Sequence, residues 1–370
     1  MKRETYRKIL IAMFAVYLCA FSYYLSCIIY AFEKNDSNIL PVIGLEKMQP
    51  VVSTKNEEKE QQLLMPLGIP VGIYIHAKGI MVLDTGIVTD IYGEKEVPAE
   101  KLLKRGDYIL AFNGMEVNSI DGFSRMIQEN EEKSCTLTVL RNQKEMDIQV
   151  TPVQMGNKIY KLGIWVRQDA QGIGTLTYMD ADGNFAALGH GITDVDTNEV
   201  IDIQDGRLYN SEVLAVVKGK DGTPGELVGY IDYKKDSVIG EIQFNNAKGI
   251  YGELDTNSIF YDPKMALPAA SSDEVKVGEA QIRCCVDGEV VDYQIEIESV
   301  KKKSRVDQKD MVIRIVDERI LEKTGGIVQG MSGSPIIQNG KLVGAVTHVL
   351  VNDPTRGYGI FIENMLETVE

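Results

Sequence analysis

The sequence predicts a mainly β protein, in which a large all-β domain follows a smaller α+β domain and an apolar helix precedes both. Three observations carry this. From Tyr160 to Glu370 the chain is a series of short alternating or apolar runs separated by glycine-bearing turns. Residues 63–153 alternate strand-like runs with a helix-like one. Ile9 to Phe32 carry no charge at all. A chain of 370 residues with 44% apolar and 25% charged residues has room for two or three ordinary globular domains.

The uncharged run Ile9 to Phe32 is long enough to cross a bilayer core as a helix. Lys2, Arg3, Arg7 and Lys8 precede it, so the amino-terminal side stays in the cytoplasm and everything after residue 32 is exported. No A-x-A-like site closes the run, which points to an uncleaved signal anchor in residues 1–32 and a single-pass membrane protein. Residues 33–62, with Asn56-Glu57-Glu58-Lys59-Glu60-Gln61-Gln62, are too polar to order by themselves and read as a tether.

In residues 63–153 the pattern predicts strands at Val71 to His76 and Gly86 to Ile91, a helix start near Ala99 and a strand at Tyr108 to Phe112. A helix Ile120 to Asn130 and strands Cys135 to Arg141 and Glu145 to Val150 follow. This order resembles a PDZ domain, as do the stretches Pro66-Leu67-Gly68-Ile69-Pro70-Val71-Gly72-Ile73 and Leu102-Leu103-Lys104-Arg105-Gly106-Asp107-Tyr108-Ile109-Leu110-Ala111-Phe112-Asn113-Gly114. The resemblance implies a peptide-binding loop at Leu67, Gly68 and Ile69, with the helix Ile120 to Asn130 as the other wall of the groove. Pro70 departs from that pattern and removes a donor.

In the large domain the strand-like runs are Ile173 to Tyr178, Phe185 to Leu188, Glu212 to Val217, Gly225 to Ile231 and Ile250 to Glu253. Gln281 to Cys285, Tyr293 to Val300, Met311 to Val316, Ser334 to Ile337 and Gly344 to Leu350 continue the series. Many short strands mean a barrel or sandwich. The helix expected here is Asn364 to Val369.

A net charge of -15 argues against nucleic-acid binding, and Lys301-Lys302-Lys303 reads as a solvated strand end. Five cysteines, two of them in the apolar run, make no disulfide framework. Adjacent Cys284 and Cys285 on a strand face opposite ways and read as core fillers. Three histidines and no H-E-x-x-H argue against a zinc site, and no metal or other cofactor is expected. Asp194, Asp196, Asn198, Asp202 and Asp205 nearly space a calcium loop, but Glu199 stands where that loop needs glycine.

The chemistry concentrates in Gly330-Met331-Ser332-Gly333-Ser334-Pro335. Glycines let neighbouring amides converge on a developing oxyanion, and Pro335 stiffens the exit, so Ser332 is the candidate nucleophile. The amides of Gly330 and Ser332 are the candidate oxyanion hole. A serine nucleophile needs a base, and three histidines are available. His76 lies in a predicted strand and reads as structural. His348 lies in the last apolar strand, beside the cleft. His190, in Ala187-Leu188-Gly189-His190-Gly191-Ile192, follows a strand and sits between two glycines, where an imidazole is exposed at a barrel rim.

These segments, with Gly325-Gly326-Ile327-Val328-Gln329-Gly330 ahead of the serine and Asn352-Asp353-Pro354-Thr355-Arg356-Gly357-Tyr358-Gly359-Ile360 after it, resemble the stage IV sporulation protein B family of PDZ-containing serine peptidases. The serine motif also resembles the Gly-Asp-Ser-Gly-Gly-Pro of trypsin-like enzymes. That likeness implies a chymotrypsin-like double β-barrel in residues 160–370. The family resemblance implies Ser332 as nucleophile, His190 as base and Asp317 as the carboxylate that orients it, while the residues alone leave Asp194 and Asp196 as rivals. It further implies an endopeptidase of sporulation, facing the space between forespore and mother-cell membranes. There it would cut a membrane-bound regulator to trigger sigma-factor maturation, and cut itself near the tether. The expected partners are that protein substrate, a peptide in the PDZ groove that could come from the same chain, and the membrane. The alternatives are a catalytically dead PDZ-bearing scaffold and a PDZ-regulated envelope stress protease.

Overall fold

Strand β1 (Leu63–Thr85) organises the molecule, because its two halves belong to two different bodies. In the computed structural model, which describes residues 61–131, 133–302 and 308–367, the expected signal anchor and almost all of the tether lie outside the described residues. Among the described residues no helix is long and apolar enough to cross a membrane.

After β1 come β2 (Tyr108–Phe112), α1 (Ile120–Asn130), β3 (Cys135–Arg141), β4 (Lys144–Val150), β5 (Ile164–Met179) and β6 (Asn184–Ala187). Then follow β7 (Ile203–Val217), β8 (Glu226–Ile231), β9 (Val238–Asn246), β10 (Gly249–Leu254), β11 (Gly278–Cys285), β12 (Val290–Val300) and β13 (Met311–Ile315). The last elements are α2 (Glu318–Thr324), β14 (Pro335–Gln338), β15 (Lys341–Leu350), β16 (Asp353–Phe361) and α3 (Ile362–Leu366). Shorter strands fill several connections.

The first half of β1 pairs with β5 on one side and β7 on the other. The antiparallel run β7-β9-β10-β6-β5-β1 therefore closes on itself, an all-antiparallel ring with no free edge. Val71, Ile73 and Ile75 alternate inward to meet Leu176, Leu208 and Ile242. A second closed barrel, β11-β12-β13-β16-β15-β14, packs Ile282, Tyr293, Ile313, Ile336 and Val346 inside. Two antiparallel barrels are the arrangement expected for the peptidase.

The α+β module leaves the first barrel after β1 and returns as β5. Ile80 and Met81 pair with Ile109 and Tyr108 of β2, and the sheet continues through β3 to β4. Helix α1 starts where the Ser119 hydroxyl accepts from the Gly122 amide at 3.0 Å, and it buries Phe123 and Ile127 against Phe112, Leu137 and Val139. This module is thus an insertion between two neighbouring strands of the first barrel, which corrects the expectation of a separate domain over residues 63–153.

The same pairing corrects the expected peptide loop. Leu67, Gly68 and Ile69 lie in the barrel half of β1, where the register slips between Pro66 and Ile69. Gly68 has φ +69° and backs onto β11 so closely that a Cβ would sit 2.6 Å from the Arg283 carbonyl oxygen. Arg283 in turn donates to the Pro66 carbonyl at 3.2 Å. A positive-φ glycine serves a bulge as readily as a ligand loop, and here strand pairing decides for the bulge. Near Ala99 the chain makes turns instead of a helix. Cys135, Cys284 and Cys285 are free and buried, as core fillers should be.

Candidate active site

The candidate nucleophile and base come from different barrels. Ser332 lies in the loop joining α2 to β14, and His190 follows β6. Both line one cavity of about 440 Å³ between the barrels, together with Gly330, Thr347 and His348.

The serine loop is rigid for stated reasons. Gly330 and Gly333 have φ +97° and +96°, and a Cβ on Gly333 would collide with the Thr175 carbonyl oxygen. The buried Thr175 of β5 holds the loop twice: its hydroxyl donates to the Gly330 carbonyl at 2.7 Å, and its amide donates to the Ser332 carbonyl at 3.1 Å. Met331 is fully buried, and the buried Ser334 hydroxyl closes the turn on the Met331 carbonyl at 2.7 Å. The Leu227 amide holds the Gln329 carbonyl at 2.8 Å, which turns the Gly330 N–H of that trans peptide to the other side. Among the described residues, neither the Gly330 nor the Ser332 amide donates to a protein acceptor. These are the two amides expected to form the oxyanion hole.

His190 is presented by a tight reversal. Leu188 has φ +70°, costly for a branched side chain, and the Gly189 amide donates back to the Ala187 carbonyl at 2.9 Å. Asn245 then ties the outgoing strand, accepting from the Ile192 amide and donating to the carbonyls of Ile192 and Ile201. His190 Nδ1 lies 2.9 Å from the Gly191 carbonyl oxygen, which can only accept, so Nδ1 carries the proton and Nε2 is left with its lone pair. Burial lowers the His190 pKa, against the smaller opposing effect of the Gly191 carbonyl. The His348 ring lies 4.8 Å away, tilted by 34°. Desolvation at the cleft wall, then the nearby His190 and Lys309, lower its pKa to about 4 even though one edge meets solvent. Both imidazoles are therefore neutral at neutral pH.

The Ser332 hydroxyl points elsewhere, donating to the Thr347 carbonyl at 2.6 Å. None of the three carboxylates weighed from sequence bonds to His190. Asp317 caps α2: it accepts from the Arg319 amide at 3.0 Å, pairs with the Arg319 guanidinium at 2.7 Å and accepts from the Gln294 amide at 3.2 Å. Arg319 above all lowers its pKa to about 2. Its geometry is that of a helix cap, and the acceptor facing His190 is a backbone carbonyl, which departs from the triad the resemblance implies. Asp194 is buried. Burial alone would raise its pKa, but the amides of Thr197 and Asp196 and the Arg167 guanidinium bring it below the usual carboxylate range. Asp196 shares Arg167. His76 is engaged by Asp169 and Gln168, away from the cavity. Thr175 was not foreseen. Nothing local marks it, since its role depends on a loop 155 residues further on.

Residues 158–366 match the SpoIVB peptidase S55 family, and residues 91–141 match a PDZ domain. No curated protein matches the chain. Among solved structures it is similar to the Rv3671c protease from M. tuberculosis in its active form, at 14% identity and TM-score 0.32, covering 54% of this chain and 73% of that one. It is also similar to the HtrA-type protease AlgW with a decapeptide, at 10% identity and TM-score 0.32, covering 82% of this chain and 64% of that one. The matched segment spans more than half of the sequence and contains both Ser332 and His190; the chain belongs to the SpoIVB peptidase S55 family and is a serine peptidase with a PDZ domain.

Proposed function

We propose that Ser332 is the nucleophile of an endopeptidase, with His190 as its base and the Gly330 and Ser332 amides as its oxyanion hole. The observation that carries this is one cavity holding Ser332, His190 and two backbone N–H groups with no acceptor among the described residues. In the proposed reaction Ser332 Oγ leaves the Thr347 carbonyl and turns to Nε2 of His190. Nε2 takes the hydroxyl proton as Oγ attacks the scissile carbonyl, and returns it to the leaving amine. The Gly191 carbonyl keeps the proton on Nδ1 and supports the imidazolium as it forms, a weaker orienter than a carboxylate. Asp317 acts indirectly, by starting the helix that leads into the serine loop.

The family resemblance extends the reading to sporulation. A signal anchor at Ile9 to Phe32 would hold the peptidase on the outer face of the forespore, in the space between forespore and mother-cell membranes. There it would cut a membrane-bound regulator and its own tether, with a peptide bound to the PDZ domain.

Labelling of the full chain by a fluorophosphonate probe tests the site. Labelling is expected to be lost in Ser332→Ala and retained in Ser334→Ala. A second reading, a catalytically silent scaffold, is favoured by the Ser332–Thr347 bond alone. It predicts no labelling of either chain.

A further inference from the structure

Strand β8 ends the sheet of the first barrel. On one side it pairs with β7; on the other, among the described residues, only Gln329 bridges to Glu226. Two hydrogen bonds fix which backbone groups face outward. The Leu227 amide donates away from β7, to the Gln329 carbonyl at 2.8 Å, and the Asp232 amide donates toward β7, to the Asn210 carbonyl at 3.1 Å. Successive amides of a strand point to opposite sides, so those of Gly229 and Ile231 face outward with that of Leu227. Neither donates to a loop acceptor among the described residues. Gln329 thus holds the first place on an edge that stays open from Gly229 to Ile231, just before Gly330, at φ +97°, turns the chain into the serine loop.

The open edge meets the catalytic cavity. A wide groove of about 540 Å³ follows Gly229 to Lys234. Two contacts join it to the cavity wall at Gln171 and Ile173: a Cβ on Gly229 would lie 2.6 Å from Ile173 Cδ1, and the Tyr233 hydroxyl donates to Gln171 Oε1 at 2.8 Å. Tyr74 and Tyr209 brace Tyr233 edge-on, with ring centroids 6.4 and 5.2 Å away. Along β8 the side chains alternate. Leu227 is buried and Ile231 lies over Gly72, whereas Val228 and Tyr230 face solvent. β8 carries neither lysine nor proline, the residues that usually guard an exposed edge.

We propose that the edge of β8 takes an extended stretch of the protein substrate as an added strand, on the leaving-amine side of the cut, with an apolar or aromatic side chain beside Tyr230. This rests on the reading of Ser332 as nucleophile and His190 as base. The direction follows from where the reacting groups stand. The scissile carbonyl sits on the Gly330 and Ser332 amides, in the loop that enters the second barrel, whereas the leaving amine takes its proton from His190 on the first barrel. Beyond that amine the substrate runs along the first barrel, past Ile173 to Gly229. The peptidase therefore selects segments that are unfolded for several residues beyond the cut.

The test is cleavage of a degenerate pool of fourteen-residue peptides by the full chain, followed by truncation of each cleaved peptide to two residues beyond the cut. Truncation is expected to lower kcat/KM about tenfold, through the loss of strand hydrogen bonds and an apolar contact. N-methylation of the long peptides is expected to weaken cleavage at every second position beyond the cut. Ile231→Pro removes the outward amide and leaves the β7 ladder intact, as proline on an edge strand can. In that variant the ratio between long and truncated peptides is expected to fall below about twofold, while Ile231→Val keeps it near tenfold. Tyr230→Asp alters only an exposed side chain and is expected to lower the ratio about threefold, which carries the test if Ile231→Pro fails to fold. No gain from length, a gain unaltered in both Ile231→Pro and Tyr230→Asp, N-methyl effects without alternation, or no cleaved peptide from a chain whose Ser332 is labelled overturns the site. Cleavage persisting in Ser332→Ala overturns the nucleophile instead, and the site then stands or falls on the same tenfold ratio in that variant. Absence of both labelling and cleavage overturns both.

Discussion

The Ser332 hydroxyl donates to the Thr347 carbonyl at 2.6 Å, across the serine loop and away from His190. On the reading of Ser332 as nucleophile, this resting bond must break before attack, because the neutral acceptor that holds the hydroxyl cannot take its proton. Ser332→Ala is expected to lower kcat/KM by at least about a thousandfold, while the lost bond to Thr347 changes stability by no more than about 1 kcal/mol. Ser334→Ala is expected to keep most activity and lose about 1 kcal/mol of stability, because its buried hydroxyl bonds Met331. Peptide hydrolysis and urea unfolding of both variants check this.

With His190 proposed as the base, the two histidines are expected to set the acid side of the pH profile. Burial lowers the His190 pKa, and His348 falls to about 4 through desolvation, His190 and Lys309. The base therefore stays neutral below the usual histidine range, and the acid limb of kcat/KM is expected below pH 6.5. For stability the sign is opposite to that of a paired histidine. Between about pH 4 and the unfolded value of about 6.5 the unfolded chain binds more protons, so stability falls as pH falls through that window. His348→Phe is expected to reduce the stability difference between pH 7 and pH 5, measured by thermal unfolding.

Asp317 separates a helix cap from a triad member. Asparagine caps a helix about as well as aspartate, whereas an asparagine in a triad lowers turnover about ten-thousandfold. Asp317→Asn is expected to retain activity within about tenfold, and Asp317→Ala to lose about 1 kcal/mol of stability through the cap and the stranded Arg319. A ten-thousandfold loss in Asp317→Asn would return Asp317 to the catalytic centre.

Side-chain selection beside the scissile bond is expected to favour apolar residues of modest size. The cavity wall next to Ser332 is built from Ile327, Val328, Val349 and Val351, and among the described residues no charged side chain lines it. Ile327 fills the space over Gly357, where a Cβ would lie 2.5 Å from its Cδ1 atom. Ile327→Ala is expected to shift cleavage of a peptide library toward larger apolar residues. A preference for lysine, arginine or acidic residues would contradict this.

The sequence by itself determined what depends on short range. Alternation along Tyr108–Phe112, Cys135–Arg141 and Met311–Ile315 marked those strands, and the apolar spacing of Ile120 to Asn130 marked α1. Glycines around Ser332 and His190 marked two turns that present the candidate nucleophile and base. Short-range pattern missed α2, whose cap Asp317 and left-handed Gly325 sit at the end of an apolar run, and β16, whose Asp353-Pro354 start reads as a turn. The tertiary structure alone decided which glycine does what. Gly68 and Gly163 both take positive φ, but the first backs onto Arg283 of β11 and the second onto the Gly86 carbonyl. It also decided that β1 and β5 serve the PDZ domain and the peptidase together, and that Thr175 holds the serine loop. Strand pairing joins residues more than a hundred positions apart, and a pattern of period two along one strand says which face is buried but not which strand lies beside it.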